Sequence, residues 1–368
     1  MSSGRLFCTQ AVFSVVAAML LIKPAFSADT VTLYGLLDAG VSYVSNEGGH
    51  RNFKFDDGIA VPSFVGLRGV EDLGGGLKAV FDLQSQFTFS SGGQIAGGIF
   101  GRNAWMGLDS DYLGRITAGN QYDFMNDALT AEGNVPAVLS GGLYVFPTGP
   151  FRNFGIPNNP TGWSDWDRTA QEQVRNSIKY LSPSIGGLKI GAMYAFSGAA
   201  GSASHGIARS FGATYNAGNF GVGAAYTEVH YTDARDTTIR NWGVGAHYAV
   251  GDLHLAADFT TGHNRQNGAR AYQGSVGAKY FFAPDISVGA SYTYMKGNAE
   301  LDNAHANQVA LTLNYILSKR TQVYLSDVTQ RASSGAHPLH EGLFDPNGVD
   351  ASSSRNQSII RVGMRTAF

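Results

Sequence analysis

The chain has 368 residues, with 48 glycines, 12% aromatic and 15% charged residues, and a formal charge of −2. No basic excess points to a nucleic-acid partner, and one cysteine excludes a disulfide-held scaffold. High glycine and aromatic content at near-neutral mean hydropathy suits strands that are apolar on one side only.

In chain order, residues 1–27 read as a secretory leader. Arg5 supplies a basic start, 11–22 an apolar run, and Ala25 and Ser27 the small residues before a cut. That run is shorter than the roughly 20 residues a spanning helix needs. Cys8 precedes the run, so 28–368, expected to form one domain, holds no thiol. Loss of Arg5 and Lys23 with the leader takes the formal charge from −2 to −4.

From Ala28 onward, alternation of period two recurs in windows of about nine to thirteen residues, the length of a tilted membrane strand. In the first window Val31, Leu33, Leu37, Val41 and Tyr43 oppose Thr32, Tyr34, Asp38 and Ser42. The pattern returns at 77–89, 187–198, 239–250, 270–282 and 305–317. Short turn-rich segments lie at 71–76, 110–114, 184–187, 216–219, 251–252, 283–285 and 318–319. Longer polar stretches fall between them, at 45–59, 90–101, 123–172, 198–206, 232–238, 263–269, 298–304 and 332–355.

Eight long and seven short connections imply sixteen strands, and their strict alternation is what a membrane barrel with short turns on one side requires. A barrel that wide holds an aqueous channel, because side chains cannot fill it. A secreted sandwich or propeller would show neither this sorting nor an aromatic outer face. In the last segment Ile360, Val362, Met364 and Phe368 share one face, and Arg361 and Arg365 the other. An arginine facing lipid at mid-membrane costs about 2–4 kcal/mol, so the arginine face is expected to line a wet lumen.

Several runs carry a resemblance: VTLYGLLDAG at 31–40, VGLRGVEDLGGGLKAVF at 65–81, FGRNAWMGL at 100–108, QYD at 121–123, VRNSIKY at 174–180 and the terminal Phe368. Their order and spacing resemble the Gram-negative general diffusion porins of the beta-proteobacterial type, over the whole of 28–368. The resemblance implies an all-β, transmembrane, antiparallel up-and-down barrel of sixteen strands in the outer membrane, assembled as a homotrimer, with the long third loop folded into the lumen. It also implies insertion by the barrel-assembly machinery through the C-terminal strand, with Phe368 as the assembly signal.

In this family, basic wall residues face carboxylates on the inward loop. Arg102 and Arg175 match the wall positions, and Asp123, Asp127 and Glu132 are the acidic candidates on the loop. Asp38, Lys78, Asp82, Lys179, Arg361 and Arg365 are expected to face the lumen as well, either in this field or as solvated wall residues. Phe64, Asn120 and Leu36 stand where relatives carry basic residues, which implies weak selectivity, tending toward cations or none.

The expected traffic is passive diffusion of ions and small hydrophilic solutes, without cofactor or metal. One alternative is a channel specific for sugars or carboxylates, with Tyr144, Phe146, Trp163 and Trp166 as a stacking track. Another is a barrel enzyme, but His247, His254, His337 and His340 lie in no Ser or Asp context that would make a nucleophile or a metal site.

Overall fold

The computed structural model describes residues 30–368 apart from 59–60, 96, 142–164, 167, 171, 199, 202–204, 234–236 and 336–351. The expected leader, residues 1–27, therefore lies outside the described residues, as do His337, His340, Tyr144, Phe146 and Trp163. The strands run in order as β1 (Thr30–Glu47), β2 (His50–Asp57), β3 (Phe64–Gly74), β4 (Leu77–Phe87), β5 (Gln94–Ile95), β6 (Asn103–Ser110), β7 (Gly114–Tyr122), β8 (Gln173–Leu181) and β9 (Leu188–Ala195). They continue as β10 (Ala208–Ala217), β11 (Phe220–His230), β12 (Thr238–Val250), β13 (Leu253–Asn264), β14 (Arg270–Ala283), β15 (Ile286–Gly297), β16 (His305–Ile316), β17 (Thr321–Ala332) and β18 (Asn356–Ala367).

All eighteen join one antiparallel sheet, which closes where β1 pairs with β18 from Leu36↔Ala367 to Val44↔Ile359. Two elements do not count as separate staves. β2 and β3 both pair with the same side of β1 and are halves of one strand, and β5 is a two-residue stub beside β4. The barrel thus has sixteen strands.

Alternation sorts the side chains inside out. On β15, Ile286, Val288, Ala290, Tyr292 and Tyr294 are exposed, while Ser287, Gly289, Ser291 and Thr293 are buried. On β18 the exposed Ile360, Val362 and Met364 alternate with the buried Gln357, Ile359 and Arg361. A soluble sheet would turn such a face inward, so this outer surface is built for lipid. Closure leaves the sheet without a free edge, as a membrane demands.

One expectation fails. Residues 45–59 are not a long loop, because β1 and β2 continue the ladder across them and turn at Gly48 and Gly49, whose φ values of 61° and 97° suit a tight hairpin. The ladder is interrupted instead between Asp57 and Phe64, opposite Asp38. There the Gly58 N–H donates to the Asp38 carbonyl (2.9 Å), and the Asp38 N–H donates to Ser63 Oγ (3.2 Å). The long connection 123–172 is where the sequence puts it, between β7 and β8.

Candidate functional site

The described part of this loop lies on the inner wall. It begins with Asp123, whose carboxylate accepts from the Met125 N–H (3.0 Å) and the Asn126 N–H (3.3 Å) and so starts the π-helical turn Asn126–Thr130. A short helix, Pro136–Ser140, follows and ends at Gly141 in a left-handed conformation. Phe124, Met125, Leu129 and Val135 bury themselves against the inward Val174, Met193, Ala195, Ala208 and Ala225.

Close seating depends on glycines in the wall. A Cβ on Gly223 would stand 2.0 Å from the Ala128 carbonyl oxygen, and one on Gly289 1.8 Å from that of Ser140. Gly191 and Gly212 make similar room for the Phe124 ring, and Gly277 for Pro136. The loop backbone thus runs from β9 to β16, where Thr312 Oγ1 donates to the Gly141 carbonyl (3.0 Å). On its return Asn241 holds the Asp165 carbonyl (2.9 Å), and Thr130 Oγ1 the Thr169 carbonyl (2.8 Å). The described part of the loop covers the β9–β16 side of the lumen.

Each of the three expected loop carboxylates has a partner. Asp123 is fully buried and ion-paired to the equally buried Arg168. Asp127 Oδ2 lies 2.7 Å from Lys179 Nζ, which also donates to the Tyr122 carbonyl (2.9 Å). Burial pushes the Asp127 carboxyl above the usual carboxylate range, and the Lys179 ammonium pulls in the other direction. Glu132 accepts from Asn216 Nδ2 (2.8 Å) at the short-turn end of β10. The sequence reading set these three carboxylates on the loop facing a basic wall; their partners are Arg168 on the loop's own return, Lys179 on β8 and Asn216 on β10.

On the facing wall, Arg102 is buried and donates to Gln84 Oε1 (2.9 Å) and Gln86 Oε1 (3.1 Å), with its guanidinium 4.9 Å from the Phe64 ring centroid. Arg68 lies over the Tyr34 ring at 5.0 Å. The Tyr34 hydroxyl binds Asp82, which also accepts from Gln84 Nε2 (2.8 Å). Asn176 has φ 52° at a bulge where Arg175 and Asn176 stand opposite Asn120, and Arg175 is exposed near Gly97. Asn120 donates to the Gly101 carbonyl (2.8 Å).

The remaining candidates fall in three places. Asp38 and Arg361 are buried in the wall at the seam, joined through Tyr324 and Asp56. Tyr324 Oη donates to Asp38 (2.5 Å) and accepts from Arg361 Nε (2.9 Å), and Arg361 Nη1 lies 2.7 Å from Asp56 Oδ1. Arg365 faces inward, 3.0 Å from the Gln322 amide oxygen when that amide is turned toward it. Lys78 pairs with Asp111 (3.2 Å) at a short turn.

Arg68, Asp56 and Arg168 were not singled out from the sequence. Arg68 is two positions along the same inward face as Gly66 and four from Phe64, so alternation carried its signal. Arg168 had none, since the loop has no period. His247 Nδ1 contacts Asn134 Oδ1 (2.8 Å), and no cluster of metal-ligating residues forms among the described residues.

A closed sixteen-stranded barrel with an apolar exterior, a charged interior and a long loop laid along the lumen defines a membrane channel. A sequence model of the Gram-negative porins matches residues 14–333, and the chain belongs to that family. It is 29% identical to an outer membrane porin protein of Bordetella pertussis, over 72% of each chain. It is also 29% identical to outer membrane porin protein 32 of Delftia acidovorans, over 94% of this chain and 95% of the relative. Among solved structures, the anion-selective porin from Comamonas acidovorans superposes with a TM-score of 0.77 at 23% identity, covering 92% of this chain and all of that one. The protein is a porin of the outer membrane and passes solutes by passive diffusion.

Proposed function

We propose that the pore is a general one of weak charge selectivity, tending toward cations or none, which works as a homotrimer and has no catalytic role. The observation that carries this reading is the pairing of two loop carboxylates, Asp123 with Arg168 and Asp127 with Lys179, while Glu132, held only by the neutral Asn216 amide, keeps its charge and tilts the pore toward cations. Carboxylates neutralised where they stand add little to a field across the lumen. The wall is correspondingly modest, with Phe64 and Asn120 at positions that could have been basic and Arg102 already bonded to Gln84 and Gln86. Lumen fields survive over a screening length of about 8 Å, so unpaired charge there would have set a preference.

Residues 1–27 act in this reading as a leader removed on export, and Phe368 as the signal read by the assembly machinery. The test is electrophysiological. Refolded protein in a planar bilayer should give stepwise conductance, flux linear in solute concentration and a reversal potential near zero in a salt gradient. A strong anion preference would overturn the selectivity, and saturating block by one solute class would favour a specific channel.

A further inference from the structure

Near the long-loop ends of β10–β14 the register sets five outward side chains directly opposite one another: Arg209, Glu228, Arg240, His263 and Arg270. Two residues nearer the barrel middle, the next outward row is Phe211, Tyr226, Trp242, Thr261 and Tyr272. Below that come Ala213, Ala224, Val244, Phe259 and Gly274. The surface thus passes from cationic through aromatic to apolar over a few residues, the profile of a membrane interface.

The cationic row is out of balance. Glu228 binds Arg240 and also contacts His230 (2.9 Å) and Tyr226 (3.1 Å). Beyond Arg240 the row itself carries no further carboxylate, and Glu300, in the connection after β15, stands by Gly268. Arg270 Nη2 lies 3.4 Å from His263 Nδ1, and Arg265, in the connection after β13, is within electrostatic reach of both Tyr226 and His263. Asp233, in the neighbouring connection, is turned to Thr237 (2.7 Å). Among the described residues no ion pair joins Arg265 or Arg270 to a carboxylate. Arg240 and Arg270 stand on either side of His263 with Arg265 nearby, and Glu228 is bound to Arg240 alone among these three, so the row calls for an anion from outside the chain.

At headgroup depth, beside an aromatic belt, the available anion is a lipid phosphate. Guanidinium groups match its oxygens in geometry and charge. We propose that this face holds the phosphate of a phosphorylated outer-leaflet glycolipid, with Arg265, Arg270 and Arg240 donating to the phosphate and Tyr226, Trp242 and Tyr272 packing beside the first acyl carbons.

The test uses the full protein refolded in an uncharged detergent, with bound lipid counted by native mass spectrometry. The probes are bisphosphorylated lipid A, the same lipid stripped of phosphate, and inorganic phosphate as competitor. The phosphorylated lipid should bind more tightly than the stripped one, by on the order of tenfold, and Arg265→Gln/Arg270→Gln should erase most of that margin. This double variant leaves the Glu228–Arg240 pair intact and touches no lumen residue, so its salt conductance should equal that of the parent.

Thermal unfolding gives a second readout. Without phosphorylated lipid the double variant should be at least as stable as the parent, and with that lipid less so. Equal binding of the two lipids, or parental binding by the double variant, would overturn the proposal. So would an equal loss of stability with and without lipid, or displacement of the lipid by an equimolar amount of free phosphate.

Discussion

Asp123 and Arg168, forty-five positions apart, tie the start of the lumen loop to its return inside a site closed to water. Replacing Arg168 by Met would leave the Asp123 carboxylate buried without its counter-charge, a loss of about 3–5 kcal/mol. The expected result is a lower thermal midpoint for release of the loop and noisier open-channel current. Asp123→Asn combined with Arg168→Met should recover part of both, because no charge is then stranded. Asp127 gives a pH dependence. Its carboxyl titrates above the usual range because it is buried, so the folded loop binds this proton more readily than the unfolded chain does. This group therefore favours folding as pH falls through that raised value and opposes it above. Protonation also leaves the Lys179 ammonium without its partner. Reversal potentials should accordingly shift toward anions as pH is lowered through that raised value, and Asp127→Asn should remove the shift. An unchanged potential in the parent protein would count against it. Lys179 could be placed from alternation alone, whereas Arg175 could not, since the bulge at Asn176 breaks the parity on which such placement depends.

At the level of elements, the seat of the loop is a contribution of the strands as much as of the loop. Gly223 on β11 and Gly289 on β15 face backbone carbonyls that cannot move aside as a flexible side chain would. Val at either should cost about 1–3 kcal/mol of overpacking and lift the loop from the wall, read as a changed single-channel conductance. Gly274→Ala on β14 is the control, because its Cβ would meet nothing within 4 Å. These glycines were invisible as a group in the sequence, since each looks like an ordinary strand glycine until the sheet is closed and the loop laid across it. The β1–β2 hairpin was obscured for another reason. The run 45–52 is polar because it extends past the apolar band, so a pattern keyed to lipid contact ended before the hydrogen bonding did. Strands whose whole length meets lipid, such as β15 and β16, were legible to within a residue or two.

The molecule as a whole depends on one seam. β1 and β18 are the first and last strands, and until they meet both expose unpaired edges that lipid cannot satisfy. Nine residue pairs close them, from Leu36↔Ala367 to Val44↔Ile359. At the short-turn end Gly35 and Phe368 exchange backbone hydrogen bonds of 3.2 and 3.1 Å. The Phe368 ring lies where Gly35 has no side chain: a Cβ there would stand 2.5 Å from Phe368 Cζ and 2.6 Å from the Phe64 carbonyl oxygen. Gly35→Val should therefore hinder closure far more than its hydrophobic gain could offset. Phe368→Ala, which keeps the ladder and removes the ring, should slow closure without preventing it. Both are read by the fraction of protein that migrates as compact, heat-modifiable barrel after refolding into detergent. If Gly35→Val folds as completely and as fast as the parent, the seam is not limited at this notch, and closure must be governed by the ladder between Leu36 and Val44 alone.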